Sequence, residues 1–221
     1  MRRAWTAKAV LVLLLAGANA CGDNPPAGNG AAGSTSTTAP AAATISAPAS
    51  TTATTVERDL SEASRLRLDG IGPVEIGMTL EEASAAVGRN VVVKENSLLA
   101  DEESTCGFAE VEGGPAGLSF MVLRDDPAAE WRIYRVDVYE TSRIATGGGV
   151  RIGATEDEVK KVYGGQLKTE PHEYTGPEGH YLVLDVDGEG GYMLLFETDG
   201  TKVLRFRSGN DAAVRAPEGC A

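Results

Sequence analysis

A short pattern stands twice in this chain, and it constrains the fold more than any other feature. Val74-Glu75-Ile76-Gly77-Met78-Thr79-Leu80-Glu81-Glu82 recurs as Val150-Arg151-Ile152-Gly153-Ala154-Thr155-Glu156-Asp157-Glu158, an offset of 76 residues (150 − 74). The same offset carries Gly88 to Gly164, so each copy closes on a glycine one helix-length downstream. Each Val-x-Ile alternates like a short strand, and the glycine behind it permits a sharp turn. Thr79 with Glu82, and Thr155 with Glu158, have the spacing of a capping box: the Thr hydroxyl accepts from the helix's free amides and the Glu reaches back. Leu80, Ala83 and Val87 fall on one face of the first helix, and Val159, Val162 and Tyr163 on one face of the second. Gly88 and Gly164 stand where a left-handed C-cap belongs. Chance produces one such motif readily; two at one offset, closed alike, point to an internal repeat.

Behind each helix the pattern turns to strands. They are expected at 91–94, 107–111, 118–123 and 131–139 after the first helix, and at 180–186, 192–196 and 202–207 after the second. Gly113-Gly114-Pro115, Asp125-Asp126-Pro127, Asp187-Gly188 and Asp199-Gly200 read as turns. The expected fold class is α+β: two tandem units, each a short helix followed by an antiparallel β-meander, after a disordered tether. Unit one covers 57–146 and unit two 147–221, joined through Thr146-Gly147-Gly148-Gly149. Units of 90 and 75 residues (57–146 and 147–221) are marginal alone, so they are expected to pack together.

Residues 1–20 read as an export signal. Arg2, Arg3 and Lys8 make a basic start, Val10 to Ala16 an apolar core, and Gly17, Ala18 and Ala20 a run of small residues before Cys21. No apolar run reaches the roughly 18 to 20 residues of a spanning helix. Ala18-Asn19-Ala20 fits ordinary signal cleavage. With Cys21 it also resembles a bacterial lipobox, in which the Cys becomes the lipidated N-terminus, although Asn19 departs from that pattern. Both readings stand on the sequence. From Gly22 to Val56, 30 of 35 residues are Ala, Thr, Ser, Pro or Gly. Such a tract buries too little apolar surface to offset its ordering entropy, so 21–56 is expected to be a tether.

The chain carries 20 basic and 32 acidic residues, a net charge of −12. Removing Arg2, Arg3 and Lys8 with the signal leaves 17 against 32, or −15. That balance argues against a nucleic-acid partner, because such proteins need basic surface to displace counterions. There are three cysteines, Cys21, Cys106 and Cys220. An exported chain with an odd count must account for the leftover thiol. If Cys21 carries lipid, Cys106 and Cys220 are free to form a structural disulfide.

The carriers Ile76-Gly77-Met78-Thr79 with Gly88, and Ile152-Gly153-Ala154-Thr155 with Gly164, resemble the tandem units of beta-lactamase inhibitor protein. They are also similar to the single unit of small outer-membrane assembly lipoproteins of the SmpA/OmlA type. The likeness covers 74–88 and 150–164, with the helix-then-sheet order. It departs at Ala154, where the pattern has Met, and in its cysteines, which lie one in each unit instead of pairing within units. The resemblance implies non-enzymatic proteins that bind other proteins, in the inhibitor through a curved sheet. No contact residue carries over.

Other motifs have plainer readings. Asp185-Val186-Asp187-Gly188-Glu189-Gly190 begins like a calcium loop, but Phe196 stands where the bidentate Glu is needed, so a hairpin turn is expected. His172 and His180, with Glu173, match no zinc spacing, and no metal or cofactor is expected. There is no G-x-S-x-G, P-loop or H-E-x-x-H. Asp101-Glu102-Glu103 reads as a solvated acidic loop. On strict alternation Val136 and Val138 face the core, while Trp131, Arg135 and Tyr139 share the opposite face. Those residue types favour protein interfaces. The expected function is that of a membrane-anchored, extracytoplasmic lipoprotein, non-catalytic, binding another envelope or secreted protein. The alternatives are an inhibitor of a secreted enzyme, a small-ligand binder or an unrecognised hydrolase.

Overall fold

In the computed structural model, which describes residues 59–94, 103–186 and 191–220, both copies of the motif build the same local structure. Residues 1–58, with the signal, Cys21 and the tether, lie outside the described residues. So do Asp101, Glu102 and the turn residues 187–190. Helix α1 (Leu80–Val87) starts at Thr79, whose Oγ1 accepts from the Glu82 amide at 3.1 Å while Glu82 Oε2 accepts from the Thr79 amide at 2.8 Å. Helix α2 (Glu156–Tyr163) starts at Thr155 with the same pair of bonds to Glu158, at 3.3 and 2.8 Å. Gly88 ends α1 at φ 66°, the left-handed cap that a side chain would resist. Gly164 leads instead into one 3-10 turn, Gly164–Gln166.

The strands are β1 (Arg65–Arg67), β2 (Gly70–Ile71), β3 (Val74–Glu75), β4 (Val91–Val93), β5 (Cys106–Val111), β6 (Leu118–Leu123) and β7 (Arg132–Val138). They continue as β8 (Ala145–Thr146), β9 (Leu167–His172), β10 (Gly176–Asp185), β11 (Tyr192–Thr198) and β12 (Val203–Asn210). A last helix, α3, spans Asp211–Arg215. The class is α+β, dominated by strands. No helix among the described residues is long and apolar enough to cross a membrane.

Eight strands form one sheet in the order β4-β5-β6-β7-β12-β11-β10-β9, every pairing antiparallel. β7 and β12 meet at its centre, with Val138 opposite Phe206 and Val136 opposite Ser208. A small sheet, β3-β2-β1-β8, holds the approach to each motif. The joint expected at 146–149 is therefore tied down: Thr146 belongs to β8, beside β1, and its buried Oγ1 accepts from Tyr163 Oη at 2.7 Å.

The two motifs grip the large sheet alike. Gly77 N donates to Ile133 O at 2.7 Å and Ile133 N to Met78 O at 2.9 Å. Gly153 N donates to Val203 O at 2.9 Å and Val203 N to Ala154 O at 2.8 Å. The main core lies between this sheet face and the helices, around Phe120, Ile133, Leu182, Phe196 and Phe206, with Ala83, Val87 and Val159 among its members. Each such large side chain stabilises the fold by roughly 1.5 to 3 kcal/mol.

Candidate functional site

The other face of the sheet is where the sequence placed an interface, and strict alternation misreads it. Met121 pairs with Arg135 but Val122 pairs with Ile133, so β7 carries one extra residue, Tyr134. A bulge of this kind shifts the side-chain parity by one. Trp131 consequently packs against the main core, under the Arg124 guanidinium at 4.2 Å, while Arg135 and Asp137 point to the opposite face. Gly209 of β12 makes room for the bulge. Its φ is 143°, and a Cβ there would lie 2.2 Å from Tyr134 O.

Arg135 is buried rather than offered to a partner. Its Nε donates to Asp137 Oδ2 at 2.9 Å, and one Nη donates to the carbonyls of Ala213 and Ala216 at 2.6 and 2.8 Å. Arg207 Nε donates to Val214 O at 2.6 Å. Two arginines from the sheet therefore satisfy the carbonyls at the end of α3, where the helix dipole is negative. Burial pushes the Asp137 carboxyl up, against the pull of Arg135 beside it. Apolar contacts complete the seat: Val214 sits with Tyr181, Val183, Met193 and Leu195, and Ala213 with Met121 and Cys220.

Cys106 of β5 and Cys220 form a disulfide with Cα atoms 5.4 Å apart and a sequence separation of 114. The last ten described residues thus make a strap across this face, fixed to the sheet by charge, packing and a covalent bond.

Beside the strap lies a strip that stays accessible. Glu197 is buried and ion-paired to Arg205 and Arg207, and His172 Nε2 stands 3.4 Å from its Oε2. His172 Nδ1 accepts from the amides of Tyr174 and Thr175, and its ring stacks on Tyr181 at 4.5 Å. Arg205 keeps 36% of its side chain exposed, and Tyr174 is 57% exposed. Tyr139 is half-buried near Arg205; burial, then the Asp137 charge, pushes its hydroxyl up to about 12. The Tyr174 hydroxyl donates to Glu218 Oε1 at 2.8 Å, a bond that holds its pKa at about 12.

The second histidine serves the other side of the sheet. His180 Nδ1 lies 2.7 Å from Glu156 Oε1, which also accepts from Thr198 Oγ1 at 2.6 Å, and Lys160 Nζ donates to Oε2 at 3.0 Å. Burial raises the Glu156 carboxyl, but these three donors outweigh it and bring it to about 2. The two histidines are therefore engaged by different carboxylates. Of the residues singled out in sequence, Arg135 and Tyr139 come together and Trp131 does not join them. Arg205, Arg207, Glu197 and Tyr174 went unread, because nothing short of the strand register joins them.

No protein-family model matches the chain, and no curated protein matches it.

Proposed function

We propose that the chain is an exported lipoprotein whose folded module binds another envelope or secreted protein without catalysing a reaction. The observation that carries this reading is the Cys106–Cys220 pair. It consumes two of the three cysteines and leaves Cys21, directly behind the signal-like segment, as the thiol for an acyl anchor. A disulfide also suits an oxidising compartment. Residues 1–20 direct export, Cys21 holds the outer face of the cell membrane, and the tether gives the folded part its reach. The docking surface is the strip of Tyr139, Arg205 and Tyr174 beside the strap, residue types favoured at binding hot spots. Neither a cofactor nor a nucleic acid takes part.

The finer architecture belongs to the same reading. We propose that 57–146 and 147–221 are tandem copies that share one sheet. The matched capping boxes, the matched bonds of the two motifs to β7 and β12, and the mirrored strand order about that seam support it. Inhibition of a secreted enzyme is the second reading, favoured by the resemblance of both motifs to beta-lactamase inhibitor units.

Intact mass of the full protein from its own cells tests the anchor. The expected species begins at Cys21 and carries acyl chains, and Cys21→Ser abolishes them. An unmodified N-terminus cut after Ala20 would sink the lipid assignment. Tyr139→Ala and Arg205→Ala are expected to weaken the captured partner by tenfold or more; full-strength binding by both would reject the strip.

A further inference from the structure

The repeat allows one copy to be read against the other, and they differ in one filled space. A groove of about 680 Å3 runs beside α2, with Ile152, Ala154 and Val162 forming its apolar part and Arg151, Lys161 and Glu158 also lining it. Ala154 is the counterpart of Met78 (78 + 76 = 154). In the first copy Met78 packs against the main core, and its Sδ lies 3.3 Å from the Glu75 amide nitrogen, so the side chain folds back over its own turn. The second copy keeps the turn and the helix but has a methyl group there.

Neighbouring positions follow the difference. Ala86, counterpart of Val162 (86 + 76 = 162), is half-buried, whereas Val162 is 46% exposed. Thr79 is buried, whereas Thr155 is exposed. The second copy thus has an uncovered apolar seat whose natural occupant in the first copy is a methionine side chain.

Charge narrows the occupant further. Among the described residues no carboxylate lies within 4 Å of the Arg151 or Lys161 cation, although Arg151 donates to the Arg143 carbonyl and Lys161 stands near enough to Glu158 to favour its carboxylate. Glu158 is committed to the Thr155 cap. On a chain of net charge −12, this rim is a local basic exception.

We infer that the groove is a docking site for a methionine-like, unbranched side chain carried by an acidic segment of a partner protein. The inference rests on the binding-module reading above, at a site separate from the strip. A thioether chain is flexible and polarisable, which suits an irregular seat. Flanking carboxylates would meet Arg151 and Lys161, and salt would weaken that contact.

Titration calorimetry of the full-length protein tests the site with a capped tripeptide, methionine between two glutamates, as probe. Saturable binding is expected, weakened at least tenfold by Ala154→Met, which restores the first copy's side chain. Val162→Asp, at an exposed position, is expected to weaken it similarly and covers the case of a poorly folded Ala154→Met. A probe with lysine flanks should not bind. Absent saturable binding, or binding untouched by both variants, would overturn the site. Partner capture with wild type and the folded variants separates the two levels. Capture lost in the variants supports the groove. Capture that survives them overturns the groove and leaves the binding module standing. No capture by wild type that still binds the probe overturns the module reading, and with it a partner protein as the groove's occupant.

Discussion

Removing the Arg135 side chain strands several groups at once: the Asp137 carboxylate and the carbonyls of Ala213 and Ala216. Breaking one side of a buried pair costs roughly 3 to 5 kcal/mol. Arg135→Met is expected to lose that much in urea unfolding, and Arg135→Met with Asp137→Leu to recover most of it. A loss below 1 kcal/mol would show that the pair is not buried as described. Glu156 gives a pH signature. Its carboxyl is lowered from 4.5 to about 2 in the folded state, so its contribution is full above pH 4.5 and is lost as pH falls through 2. Glu156→Gln, which leaves His180, Thr198 and Lys160 in place, should flatten the decline in stability between those values. An unchanged acid limb would contradict it. At this scale the sequence was partly legible. Alternation assigned Val136 and Val138 to the core correctly, but no local signal in β7 marks Tyr134 as an extra residue. The only hint lay 75 residues further along the chain (209 − 134), in Gly209, an isolated glycine inside a strand that pairs with β7 there.

The elements most legible were those whose signals are local. Both helices begin at the Thr that the capping spacing picked out, because a cap is decided within four residues. Strand β6 spans the stretch read from its apolar run. β9 went unread because Leu167-Lys168-Thr169-Glu170-Pro171-His172 has no apolar alternation, and its Pro is tolerated only because β9 is an edge strand. α3 went unread because five residues cannot nucleate a helix unaided. It exists through Arg135, Arg207 and the disulfide, which are remote in sequence. Closing a loop of 114 residues contributes ~4 to 5 kcal/mol in the chain-entropy model. Cys106→Ser with Cys220→Ser should lower stability by up to that amount and speed amide exchange most in 211–220. Exchange unchanged there would mean that charge and packing alone hold the strap.

At the scale of the molecule, the seam between β7 and β12 and the strap from β12 back to β5 make the described residues depend on one another. Calorimetry of the oxidised protein should therefore give one cooperative transition; two separated transitions would show that the halves unfold independently. The sequence showed one motif twice but not how the strands behind each copy meet, since the pairing of β7 with β12 leaves no local mark. Function lay further still from the residues, because a binding surface is defined by its partner. The measurement that bears most directly on it is capture of the full-length protein with its bound material from its own cell envelope, followed by reconstitution from purified components. A single protein recovered in near-equal amount, and held in a stable complex when remixed, is the result expected of an anchored binding module. A correctly folded, disulfide-closed protein that retains no partner in either step would contradict it.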